Sequence, residues 1–93
     1  MTVATLRMDL RVDNCHSLGD SRRRMRTIMD KVHRSFNVSV AAVEHDQDPA
    51  QVTLAVVAVA RSRREVRALL ARVADAVAVY PRAEILSHDI TEV

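Results

Sequence analysis

Ser17-Leu18-Gly19-Asp20-Ser21-Arg22-Arg23-Arg24-Met25-Arg26-Thr27-Ile28-Met29-Asp30-Lys31-Val32-His33-Arg34-Ser35-Phe36-Asn37-Val38-Ser39-Val40-Ala41-Ala42-Val43 is the stretch that decides the fold of this chain. Ser17 followed three positions later by Asp20 is an N-cap with an acidic reciprocal partner, and Met25, Ile28, Met29, Val32 and Phe36 then recur at helical spacing. A first helix is predicted from Leu18 to Ser35. Val38 and Val40 open a strand whose apolar set then slips to Val43, so a bulge is expected near Ala41 and a strand end near His45. An arginine-crowded amphipathic helix therefore feeds directly into a strand.

Upstream, Leu6, Met8, Leu10 and Val12 alternate with Arg7, Asp9 and Arg11, the period of a strand with one buried face. Downstream, the polar segment from His45 to Gln51, with Pro49 inside it, connects to a third strand from about Val52 to Ala60. Both faces of that strand are apolar: Leu54, Val56 and Ala58 point one way, Ala55, Val57 and Val59 the other. Ser62 and Glu65 form a second capping box, and Val66, Leu69, Leu70, Val73, Val77 and Tyr80 mark the buried stripe of a second helix that Pro81 stops. A final strand from about Ala83 to Thr91 completes β-α-β-β-α-β. This order predicts an α+β, ferredoxin-like sandwich, a single domain over residues 1–93, with two helices on one face of a four-stranded antiparallel sheet and the first and third strands central.

The chain has 93 residues, of which 48% are hydrophobic, enough for one core but small enough to gain from pairing with another chain. Val57 and Val59 would form an exposed apolar stripe on the sheet face away from the helices, so a homodimer through that face is expected. The lone Cys15 excludes an intrachain disulfide, fits a reducing cytoplasm, and leaves no zinc-finger spacing. Charged residues interrupt every apolar run, so neither a signal peptide nor a membrane span is expected.

A net charge of +2 conceals a division between elements. The helical segments Asp20 to Phe36 and Arg61 to Tyr80 hold eleven cations against four carboxylates, a balance of +7. Strands and connections hold three cations against eight carboxylates, a balance of −5. With the inward stripes apolar, the arginines crowd the outer helical layer, where guanidinium groups can grip phosphates bidentately. This pattern points to an RNA backbone met by Arg22, Arg23, Arg24, Arg26, Arg34, Arg63, Arg64 and Arg67. The central strands offer no aromatic platform of the kind an RNA-recognition motif uses, so contact is expected on the helix side, through phosphates and shape.

The first strand's end and the connection after the second fall at one edge, which would gather Cys15 and His16 with Glu44, His45, Asp46 and Asp48. A thiol, imidazoles and carboxylates there make an alternative small-molecule site near the N-terminus of the first helix. Neighbouring Cys15 and His16 are not a chelating spacing, and no metal or other cofactor is expected. His33 is expected on a solvated helix face and His88 half-buried on the last strand. Gly19 is the only glycine, so no loop cradles a nucleotide, and the residues favour a binding protein over an enzyme.

Ser17-Leu18, the arginines Arg22 to Arg24, and Phe36-Asn37-Val38-Ser39-Val40 resemble the YlxP-like family, the bacterial domain of unknown function 503. The similarity runs over nearly the full chain and is most specific from Arg34 to Val40. It implies a ferredoxin-like fold and, because the family gene commonly lies beside those for translation initiation and ribosome-binding factors, a role associated with RNA or the ribosome. Where the family usually continues Ser-Leu with lysine, a variable residue and lysine, this chain has Gly19, Asp20 and Ser21. Ala42 replaces a usual glutamate, and Asp46, Gln47, Pro49, Ala50 and Gln51 replace the family's hairpin signature. The chain looks like a divergent member, which leaves an accessory protein or small enzyme of specialised metabolism as the alternative role.

Overall fold

The computed structural model of the chain describes residues 1–45 and 48–93. Its elements follow the order β1 (Thr2–Val12), α1 (Leu18–Ser35), β2 (Ser39–His45), β3 (Gln51–Ala60), α2 (Arg63–Ala78) and β4 (Ala83–Glu92). The strands form one antiparallel sheet in the order β2-β3-β1-β4, so the first and third strands are central and both helices cover one face. The architecture is ferredoxin-like.

Alternation along the strands places the core. Ala4, Leu6, Met8, Leu10 and Val12 of β1 and Val52, Leu54, Val56 and Ala58 of β3 point toward the helices and are buried. Met25, Ile28 and Val32 of α1 and Val66, Leu70, Val73 and Val77 of α2 complete that core. Ser21 occupies the same stripe one turn before Met25, fully buried, and its hydroxyl has no hydrogen-bond partner among the described residues. Leu69 and Tyr80, expected in the stripe of α2, only pack against its margin.

Capping fixes where the helices begin. Ser17 Oγ accepts from the Asp20 amide at 3.1 Å, while the Asp20 carboxylate accepts from the His16 amide at 3.2 Å. Ser62 Oγ accepts from the Glu65 amide at 3.2 Å, but the Glu65 carboxylate takes Arg61 as its partner at 3.1 Å. At the far end α2 finishes at Ala78, ahead of Pro81, because Pro81 disfavours helical backbone at the residue before it.

Several sequence expectations shift. β1 starts at Thr2, four residues before Leu6, because Thr2 to Thr5 pair with Ala60 to Val57. On β2 the expected bulge is present, with the register shift between Ala42 and Glu44, just beyond Ala41. Val43 is thus the extra residue of the bulge, and at 51% exposure it does not join the core side. β4 carries a matching irregularity opposite Asp9 and Leu10, where Leu86 is the unpaired residue. His88 is exposed, not half-buried, because β4 is an edge strand flanked by small alanines of α2.

Candidate nucleic-acid interface

An α-helix turns about 100° per residue, so each arginine's place follows from the buried stripe of its helix. On α1 the side that meets α2 is marked by Lys31, Val32 and Ser35, which share a small groove with Ala76, Val77 and Tyr80. Lys31 Nζ stands 5.7 Å from the centre of the Tyr80 ring, a cation–π contact across that groove. Arg22 and Arg26, one turn apart, therefore lie on the opposite flank of α1. Both are exposed and carry no ion pair or hydrogen bond among the described residues.

The other candidates on α1 are engaged within the chain. Arg23 pairs with Asp20 in the first turn. Arg24 donates to the backbone carbonyl of Asp13 at 3.0 Å and of Arg82 at 3.3 Å, tying the loops after β1 and α2 together. Arg34 Nε donates to the Asp30 carbonyl at 3.3 Å. These bonds to neutral carbonyls leave the charge of Arg24 and Arg34 intact but fix where their guanidinium groups point.

On α2, Arg63 and Arg67 converge on one carboxylate, with their Nε atoms 2.5 and 2.8 Å from Glu92 Oε1. That clamp holds the end of β4 against the first turns of the helix, and the hydrogen bond from Arg67 is the main reason Glu92 stays ionised below the usual carboxylate range. Arg64 is exposed without a partner among the described residues. So is Arg72, which lies two turns beyond it and was not among the sequence candidates. The missed signal was its position opposite the stripe Val66, Leu70, Val73 and Val77. On the two helices, four guanidinium groups thus keep all their donors available among the described residues: Arg22, Arg26, Arg64 and Arg72.

The proposed small-molecule edge assembles only in outline. Val12 donates its amide to the Ala50 carbonyl at 2.7 Å, so the end of β1 does meet the start of β3. Asn14 adopts φ 56°, a left-handed conformation that asparagine tolerates, in the turn that follows. Beyond that turn Cys15 is buried in the core cluster at 6% exposure. His16 is exposed, and the Asp48 carboxylate accepts from the Ala50 amide at 2.9 Å to shape its own turn. Asp46 and the side chains of Glu44 and His45 lie outside the described residues.

Nearby, Asn14, Asp20, Arg23, Arg24 and Thr27 line an open polar bay of about 240 Å³. Its cations are already committed, Arg23 to Asp20 and Arg24 to two carbonyls. Among the described residues no three histidine, cysteine or carboxylate side chains converge on a metal position. No helix among them is long and apolar enough to cross a membrane.

No curated protein matches this sequence. The backbone is similar to a de novo designed protein with a ferredoxin fold solved in solution by NMR, with a TM-score of 0.54 at 12% identity, covering 100% of this chain and 84% of that one. At that identity the likeness speaks to fold alone. Residues 3–90 match the family described as protein of unknown function DUF503, and the chain belongs to that family.

Proposed function

We propose that this is a non-enzymatic RNA- or ribosome-associated protein that meets phosphates through the outer surface of its two helices. The observation that carries the reading is the set of helical arginines left without intramolecular partners among the described residues, Arg22 and Arg26 on α1 and Arg64 and Arg72 on α2; outside the helices Arg11 and Arg82 share that state. Exposed charges also serve solubility, but a phosphate-binding surface specifically needs guanidinium donors that carboxylates have not already taken. Arg23, Arg24, Arg34, Arg63 and Arg67 then have mainly structural duties, and the eight-residue surface narrows to Arg22, Arg26 and Arg64 with Arg72 added. Contact of this kind is read by charge and shape, because among the described residues no fully exposed aromatic stands ready to stack a base.

Cosedimentation with ribosomal subunits at stepped salt tests the reading. Binding at low salt should weaken steeply as salt rises, each arginine that meets a phosphate contributing roughly 0.7 to 0.9 to the log–log slope. Changing Arg22 and Arg26 together to Glu should reduce binding at least ~10-fold while the circular dichroism spectrum is unchanged. Binding indifferent to both salt and this charge reversal defeats the proposal.

A further inference from the structure

We propose that the sheet face turned away from the helices is a docking surface for a second copy of this chain. Its rows can be read directly from strand register. Val3 lies opposite Val59, Thr5 opposite Val57, Ser39 opposite Val57, and Ala41 opposite Ala55, all on the outward side. Val57 is 40% and Val59 59% exposed, although both sit on a central strand. One end of the face is therefore branched and apolar, and small side chains beside it let another sheet approach closely.

Two carboxylates at the polar end of the same face are already satisfied, while Arg11 and Glu84, opposite each other across β1 and β4, have no intramolecular partner among the described residues. Asp9 accepts from Thr53 Oγ1 at 2.7 Å and Ser87 Oγ at 2.9 Å, and Asp89 accepts from Thr91 Oγ1 at 3.1 Å. Covering these groups strands few donors or acceptors, which keeps the desolvation cost low.

Charge selects the occupant. Arg7 and Arg11 stand among Asp9, Glu84 and Asp89, with Arg7 opposite Asp89 and Arg11 opposite Glu84 across β1 and β4. A face of mixed sign this close to neutral complements a copy of itself, while two helical layers of balance +7 repel. Joining the sheets places those layers on opposite outsides of the pair. Size agrees as well: ten residues at ~3.3 Å by four strands at ~4.8 Å give a flat footprint of ~600 Å², near the ~800 Å² per partner of a standard interface.

Sedimentation velocity of the full chain at micromolar concentration tests this. The wild type should run as a dimer that persists in high salt, Arg64→Glu should leave it dimeric, and Val57→Glu with Val59→Glu should give monomer with an unchanged circular dichroism spectrum. If the double variant loses its fold, Val59→Glu alone carries the test, with self-association weakened at least ~10-fold. A monomeric wild type overturns the proposal, and so does a folded glutamate variant that stays dimeric.

Discussion

Asp9 lies on the outward side of β1, yet hydroxyls from both neighbouring strands hold its carboxylate. The hydrogen bond from Thr53, then that from Ser87, lowers its pKa below the ordinary aspartate value, with Arg7 adding a smaller attraction. A carboxylate whose folded pKa is depressed contributes stability that is present above its unfolded value, ~3.9, and is lost as pH falls through the folded one. Asp9→Asn should therefore flatten the fall in melting temperature on going from about pH 5 to pH 2. The slope should shrink without vanishing, because Asp20 and Glu92 are depressed too, by the His16 amide and by Arg67 first among their causes. An Asp9→Asn protein with the wild-type acid profile would contradict this. None of it was legible in the sequence, since Thr53 and Ser87 lie 44 and 78 residues from Asp9. The burial of Cys15 was not legible either, because local composition says nothing of the left-handed turn at Asn14 that precedes it.

Helix limits were more readable than strand limits because capping is a local interaction between residues three apart. α1 runs from Leu18 to Ser35 as its Ser17 cap and apolar spacing require. Ser17→Ala and Ser62→Ala should each cost about 1 kcal/mol in chemical denaturation. The loss should be larger at Ser17, where Asp20 also secures the His16 amide, than at Ser62, where Glu65 is paired with Arg61. Equal stability of both variants and the wild type would rule out these caps as determinants. Strand starts depend on partners far along the chain, so pairing with β3 lengthened β1 by four residues that alternation alone did not claim. The bulge on β2 was foreseen from a slip in the apolar pattern, but only pairing with β3 shows that Val43 is the extra residue. On the helices the exposed arginines were legible from periodicity; that Arg24, Arg63 and Arg67 are committed was not, because Glu92 and the carbonyls of Asp13 and Arg82 come from other elements.

Across the whole molecule, charge and polarity separate into layers, cations over the helices and beneath them an acidic sheet whose outward face mixes both signs with an apolar end. The two outermost strands share a further property. Each contains one surplus residue, Val43 in β2 and Leu86 in β4, 51% and 46% exposed. A bulge bends and twists an edge, so that its unpaired backbone groups no longer present a straight template to another chain. Deleting Leu86 should restore an even ladder on β4, and light scattering during heating should then rise at a lower temperature than in the wild type. Unaltered scattering would show that the irregularity does not guard that edge. With both lateral borders bent in this way, strand-by-strand addition at the edges of the sheet finds no straight ladder to extend, and growth of the sheet ends within the single chain.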